Sequence, residues 1–252
     1  AIRERHIPVM MVNGRISEKS VKTYRYLYGI WDDMLSTVSR FCMQSSIDAD
    51  YIYSLGADKN KIFVTGNTKF DQTYAEVTPE DYARYKEELG LNDSYPIIMA
   101  GSTHPGEEKA LFDAFKKVRE KYADARLVIA PRKTNRADEI SKLASSYGYE
   151  TGYRSKMLEN PNLRKKYPVV LLDTIGELGR IYAVGDVVFV GGSLCKTGGH
   201  NVLEPAAHAK PILVGPNMQN FKDSYSLLSK VGACKMVNNV AELANEMIDI
   251  IG

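Results

Sequence analysis

From residue 96 onward the pattern of apolar and polar positions repeats one theme. Runs at 97–100, 126–130, 169–172, 187–190, 212–214 and 234–237 are, apart from Arg126 and Lys235, apolar at consecutive positions, as strands covered on both faces must be. Between them apolar residues recur at helical spacing over 105–122, 136–147, 176–183, 202–209, 221–231 and 240–251. This alternation predicts an α/β fold: a Rossmann-like parallel sheet with helices on both faces. The first 70 residues carry a shorter version, with strands at 8–12, 41–43 and 62–64, helices over 18–28 and 47–55, and the end of a helix at 1–6. Two or three strands cannot close a core of their own. Residues 1–70 are therefore expected to be the C-terminal part of one α/β domain and residues 71–252 a second, with the polar stretch 71–80 as linker. A start at Ala1 instead of Met adds to the expectation of a fragment.

Composition narrows the function classes. With 44% hydrophobic and 25% charged residues in a chain of 252, disordered and collagen-like architectures are excluded. The 33 basic and 31 acidic residues leave a net charge of +2, too small a global field to hold nucleic acid or an anionic membrane. Nor are stacking aromatics interleaved with a basic stripe, so no nucleic-acid partner is expected. Cys42, Cys195 and Cys234 lie far apart without a Cys-x-x-Cys pair, which favours neither a disulfide framework nor a zinc site and fits a cytoplasmic setting. No apolar run reaches the roughly 18 residues a membrane-spanning helix needs. The basic run at 160–167, with Arg164, Lys165 and Lys166, is expected to be a solvated loop.

In an open parallel sheet, ligands bind beyond the carboxyl ends of the strands, and four such ends are unusual here. After 187–190 comes Gly191-Gly192-Ser193, then Gly198-Gly199-His200-Asn201 before a helix opening Val202-Leu203-Glu204-Pro205. Glycines let a backbone approach a ligand, and a helix start presents free N–H groups, so this loop reads as an anion cradle. Capping offers a second reading, with Asn201 as N-cap and Glu204 as its partner in a capping box; ribose hydroxyls would explain Glu204 equally well. After 97–100, Ser102 or Thr103 is placed to cap a helix with Pro105 in its first turn, and His104 is either a surface residue or a phosphate contact. After 126–130, Pro131 presents Arg132, a guanidinium suited to clamping phosphate. After 169–172, Thr174 and Glu177 read as a cap and its box partner. Together these ends point to a phosphate-bearing nucleotide across one sheet edge. No Walker motif, dinucleotide glycine turn or Gly-x-Ser-x-Gly elbow is present. The adjacent acidic pairs Asp32-Asp33 and Glu107-Glu108 diverge on a helix, so no metal site and no cofactor are expected.

These motifs resemble a known family. Gly191-Gly192-Ser193 with Gly198-Gly199-His200-Asn201-Val202-Leu203-Glu204-Pro205 is similar to the signature of bacterial 3-deoxy-D-manno-octulosonic acid (Kdo) transferases. In the same order along the chain so are Asn13-Gly14-Arg15-Ile16-Ser17, Thr65-Gly66-Asn67-Thr68-Lys69-Phe70-Asp71, Ser102-Thr103-His104-Pro105-Gly106-Glu107-Glu108, Pro131-Arg132, Asp173-Thr174-Ile175-Gly176-Glu177-Leu178, and Gly215-Pro216 leading to Asn220-Phe221-Lys222-Asp223. The resemblance implies a GT-B glycosyltransferase, with CMP-Kdo held by the C-terminal domain and a lipid A precursor by the N-terminal one. It implies that Arg132, Gly176, Glu177 and Leu178 border the cytidine monophosphate. Asn201 with Gly198 and Gly199 before it would meet the phosphate and Glu204 the ribose, Ser193 and His200 would belong to the same substrate site, and Lys69 and Ser102 would line the cleft nearer the sugar. The inverting reaction needs a carboxylate base, which in the family sits near the start of the N-terminal domain, outside this chain. The full-length protein would then be cytoplasmic and peripheral to the inner membrane, touching the membrane surface through its N-terminal part. Where the family often has Pro-Arg-His-Pro-Glu-Arg, this chain has Pro131-Arg132-Lys133-Thr134-Asn135-Arg136. Two alternatives remain from the sequence: a UDP-sugar 2-epimerase-like GT-B enzyme, and a nucleotide-binding module without turnover.

Overall fold

The computed structural model describes residues 5, 7–24, 30–71, 74 and 76–252, without the side chains of Lys19, Ile30 and Lys69. The helix end expected at 1–6, apart from residue 5, and residues 25–28 of the next helix lie outside that description. By contacts the chain divides into two compact units, residues 1–73 and 74–252.

The first unit is a parallel three-stranded sheet in the order β1 (Met10–Gly14), β2 (Arg40–Met43), β3 (Ile62–Val64). Its helices are α1 (Glu18–Tyr24), α2 (Ile30–Thr37) and α3 (Ser46–Ser54). Phe41, Met43, Leu35 and Ile52 form its small core, while Met10, Val12 and Phe63 are exposed on the strands. Asn13, at φ +56°, accepts the Thr68 N–H at 3.2 Å and so joins the segments around Asn13 and Lys69.

The second unit opens with α4 (Pro79–Glu88), a helix with little apolar periodicity that is instead started by its cap, Thr78 Oγ1 accepting from Asp81 N–H with Pro79 in the first turn. Strands β4 (Ile97–Thr103), β5 (Arg126–Pro131), β6 (Thr151–Tyr153), β7 (Val169–Leu171), β8 (Val187–Val190), β9 (Ile212–Val214) and β10 (Cys234–Met236) form one sheet. All its pairs are parallel, in the order β10-β9-β8-β4-β5-β7-β6. The intervening helices are α5 (Glu107–Lys121), α6 (Ala137–Ser146), α7 (Arg154–Glu159), α8 (Leu178–Ile181), α9 (Leu203–Ala206), α10 (Lys222–Lys230) and α11 (Val240–Ile251).

Alternate residues of each strand enter separate cores, as a pleat requires. Ile98, Ala100, Leu127, Ile129 and Phe189 pack on α5, α6 and α11. Met99, Val128, Val170, Val188 and Val190 pack on α4, α7 and the α8 region. Helices therefore cover both faces, the layered fold expected from the strand pattern. Sequence reasoning missed α4, β6 and α7. It also overextended α8 and α9, each of which is a single turn; α8 continues as a 3-10 turn, Tyr182–Val184.

The chain leaves β4 toward β5 and later returns to place β8 on the other flank of β4. Connections therefore diverge at β4 and β8, and the loops after these two strands frame the crevice where open α/β sheets bind ligands.

Candidate functional site

Tight backbone contact brings the β4 and β8 loops together. A Cβ on Gly191 would stand 2.5 Å from the Ser102 carbonyl oxygen. Ser102 itself takes φ +55° beside a bulge in the β4–β5 register, a strained conformation typical of functional turns. At Gly192, φ is +68° and the His200 ring lies where a side chain would project.

The first half of the β8 loop already holds an anion, and it belongs to the protein. Glu107, in the first turn of α5 and 1% exposed, accepts the N–H groups of Gly192 (2.8 Å), Ser193 (3.0 Å), Leu194 (2.9 Å) and His104 (2.9 Å). This overturns part of the cradle expected from the glycines. Ser193 is wholly buried, its Oγ donating to the Val190 carbonyl and accepting the Gly215 N–H, so it ties the loop to β9 and has no group left for a ligand. Ser102 and Thr103 do not cap α5 either: Gly106 precedes that helix at φ +95°, and Thr103 Oγ1 donates to Glu108. Glu108 is paired with Arg136 at 2.6 Å, so the two adjacent glutamates serve opposite sides of the helix start.

The second half of the loop is open. Gly199 N–H donates to the Gly192 carbonyl and Gly198 packs against Asn220, which closes the turn. Among the described residues the backbone N–H groups of His200, Asn201 and Val202 make no hydrogen bond. Asn201 Oδ1 accepts the Leu203 N–H at 3.1 Å, and Asn201 Nδ2 donates to Glu204 Oε1 at 3.1 Å. Asn201 is not the N-cap expected from the sequence: Val202 holds that position without a side-chain bond, and Asn201, one residue earlier, turns the chain into α9 through its bond to Leu203. Glu204 closes no capping box either; its carboxylate is aimed by the asparagine amide.

Three further groups border this opening. Arg132 is exposed at the end of β5, its N–H bonded to the Thr103 carbonyl, and among the described residues its guanidinium has no partner. The field of that guanidinium reaches His200. His104 and His200 meet through their Nε2 atoms at 2.8 Å with rings 9° from parallel. Burial, reinforced by His104 and Arg132, lowers the His200 pKa to about 4.

Gly179, the residue after the Thr174–Leu178 segment, borders the site. Glu204 Oε2 lies 3.7 Å from where a Cβ on Gly179 would stand, and His208 Nε2 is 2.6 Å from the Gly179 carbonyl oxygen. Glu177 is no capping partner here. Thr174 Oγ1 donates to its carboxylate, which also pairs with Arg154 at 3.1 Å. Arg154, 2% exposed on α7, bonds Glu88 of α4 at 2.6 Å as well. Sequence reasoning missed Arg154 and Glu107. Neither carried a sequence signal, since Glu107 stands in Gly106-Glu107-Glu108-Lys109 and Arg154 in Tyr153-Arg154-Ser155-Lys156 among other polar residues, and only the fold shows what each one meets.

Of the expected site residues, Ser102, His200, Asn201 and Glu204 gather at the β4 and β8 loops, with Arg132 beside them and Gly176, Glu177 and Leu178 joined through Gly179. Lys69 lies in the first unit, in the 3-10 turn Thr68–Asp71, and its side chain falls outside the described residues. Tyr74, which receives Asn201 Nδ2 at 3.3 Å, also lines a hollow of about 520 Å³ with Tyr82, His208 and Lys210.

With this geometry in place, comparisons with known proteins are informative. Residues 1–72 match the family described as 3-deoxy-D-manno-octulosonic-acid transferase (kdotransferase). The chain is 31% identical over 250 residues to a 3-deoxy-D-manno-octulosonic acid transferase of Haemophilus influenzae, covering 98% of this chain and 57% of that protein. It is 35% identical over 246 residues to a bifunctional glycosyltransferase/methyltransferase of Fusobacterium nucleatum, covering 96% of this chain and 37% of that protein. The C-terminal CMP-Kdo binding domain of WaaA from Acinetobacter baumannii superposes with TM-score 0.60 at 27% identity, over 68% of this chain and 87% of that one. A UDP-GlcNAc 2-epimerase from Neisseria meningitidis shares the fold, with TM-score 0.58 at 14% identity over 99% of this chain and 63% of that one. The chain therefore spans a little over half the length of its Haemophilus relative and about a third of its Fusobacterium relative.

Proposed function

We propose, for a chain related along its length to the Kdo transferases of the GT-B fold, that it is the donor-binding part of an inverting glycosyltransferase. The reaction moves Kdo from CMP-Kdo to a lipid A precursor in lipopolysaccharide synthesis. The observation that carries this reading is the open half of the β8 loop: three N–H groups and an adjacent Arg132 guanidinium without a partner among the described residues, and Glu204 held in position by Asn201.

A phosphate fits that arrangement because backbone N–H groups and a guanidinium both donate to it, and nothing in the cradle needs to reorganise to do so. Glu204 accepts ribose hydroxyls with the oxygen that Asn201 leaves free. Glu177 has its carboxylate occupied by Arg154 and Thr174, so Gly176–Leu178 meets the base through its main chain. Charge that develops on the leaving CMP phosphate is stabilised by the same N–H groups and Arg132, as preorganised donors do. Inversion further requires a carboxylate to take the acceptor hydroxyl's proton. In this proposal that base lies outside these 252 residues, and the chain alone binds nucleotide without turnover. A soluble nucleotide donor and a lipid acceptor put the complete enzyme at the cytoplasmic face of the inner membrane.

The test is a calorimetric titration of the chain with CMP and with UMP. Tighter binding of CMP supports the reading; equal binding, or none, overturns the choice of nucleotide. Turnover by the isolated chain with CMP-Kdo and lipid acceptor would refute the non-catalytic part of the proposal.

A further inference from the structure

The imidazole rings of His104 and His200 take no part in the nucleotide contacts proposed above, yet they border the cradle to which His200 offers its own backbone N–H. Two Nε2 atoms 2.8 Å apart need one hydrogen between them. A neutral pair supplies it, one ring donating and the other accepting. The pair also keeps this bond after gaining a single proton, which sits on Nδ1 of the donor ring. A second proton would set two N–H groups face to face and break the contact. The pair can therefore carry zero or one positive charge with no heavy atom displaced.

The surroundings decide which state prevails. From the end of β5, Arg132 presents a positive field; from α5, Glu107 is engaged with four N–H groups, including that of His104; from α9, Glu204 is turned to Asn201. In the empty site, burial and Arg132 keep His200 uncharged near neutrality. A phosphate dianion on the N–H groups of His200, Asn201 and Val202 offsets the field of Arg132 and attracts positive charge to the adjacent ring.

We propose that the His104–His200 pair takes up one proton when a phosphate occupies this cradle, so that phosphate binding and histidine protonation are linked. The inference rests on the nucleotide reading above and adds to it a proton stoichiometry and a pH dependence.

Calorimetry at about pH 7.5 in buffers of different ionisation heat measures that stoichiometry. CMP is already a dianion there, its second ionisation lying at about 6, and cytidine serves as the phosphate-free control. The expected result is net uptake approaching about one proton per CMP, with affinity falling up to about tenfold per pH unit above neutrality. Cytidine takes up none. His104→Gln and His200→Gln each abolish the uptake while CMP still binds, more weakly. CMP binding with the same heat in every buffer overturns the proposal and leaves the nucleotide reading intact, as does uptake that persists in both variants. No CMP binding at any pH overturns both. If a variant fails to fold, the buffer series on the unmodified chain decides by itself.

Discussion

The loop after β8 contains two glycine pairs that look alike, and they have opposite roles. Around Gly191-Gly192 the N–H groups converge on the carboxylate of Glu107, a residue of the same unit. Around Gly198-Gly199 the turn closes on Gly192 and, among the described residues, leaves the next three N–H groups unpaired. Both are anion nests in the physical sense; one is filled by the fold and the other faces outward. A glycine-rich loop therefore does not by itself mark a ligand site. What matters is whether a buried carboxylate from elsewhere in the chain reaches it first.

The sharpest way to break this comparison is to empty the filled nest. Glu107→Ala strands four N–H groups around a buried position and is expected to cost about 3–5 kcal/mol of stability, read from the denaturant midpoint. Partial recovery of stability with added phosphate would show the first nest accepting an external anion as the second is built to do. A loss below about 1 kcal/mol would contradict the anchoring role. Arg154→Ala is expected to cost a similar or slightly smaller amount, about 3–4 kcal/mol, because it leaves Glu88 and Glu177 without their buried partner. It should also weaken CMP binding by freeing the Thr174–Leu178 segment, whereas unchanged CMP affinity would separate that segment from the nucleotide.

On the open side the order reverses, with effects on binding and little on folding. Arg132→Ala is expected to weaken CMP binding by about 1.5–3 kcal/mol, as loss of a charged hydrogen bond does, and to change stability by less than about 0.5 kcal/mol because the side chain is exposed and unpaired. Glu204→Ala should weaken CMP by about 1–3 kcal/mol; unchanged affinity with a lower melting temperature would assign Glu204 to the start of α9 alone. A separate effect is a pH dependence without ligand. The His200 pKa is lowered by folding, to about 4 from 6.5, so the unfolded chain binds more protons between those values. Its contribution to stability is present above pH 6.5 and is lost as pH falls toward 4. His200→Gln should flatten that part of the melting-temperature profile.

How much of this was legible in the sequence depended on the range of the interaction concerned. The sheet was legible because burial on two faces forces consecutive apolar residues, as at Val187–Val190, and no distant partner can alter that requirement. β6 escaped notice because Thr151–Tyr153 is a short edge strand, and Gly152 lies there against Tyr167 and Met157. α4 was signalled only by Thr78-Pro79, since a helix lying mostly in solvent carries a weak apolar stripe. The capping readings failed at Glu177 and Glu204 for one reason: a carboxylate near a helix start bonds whichever donor the fold brings near, and here those donors were Arg154 and Thr174 for Glu177 and the side chain of Asn201 for Glu204.

The sequence by itself determined the layered α/β architecture, the strand ends at which chemistry collects, and the placing of His200, Asn201 and Glu204 at a helix start. Each is set by local periodicity or by the direction in which a strand runs. The tertiary structure alone decided that Glu107 fills half of the cradle, that Arg154 claims Glu177, and that two histidines 96 positions apart share a hydrogen bond. Those outcomes depend on which strands become neighbours, β8 beside β4 for Glu107 and the histidines and β6 beside β7 for Arg154. That choice is made by burial summed over the whole sheet, and no short window of sequence carries it.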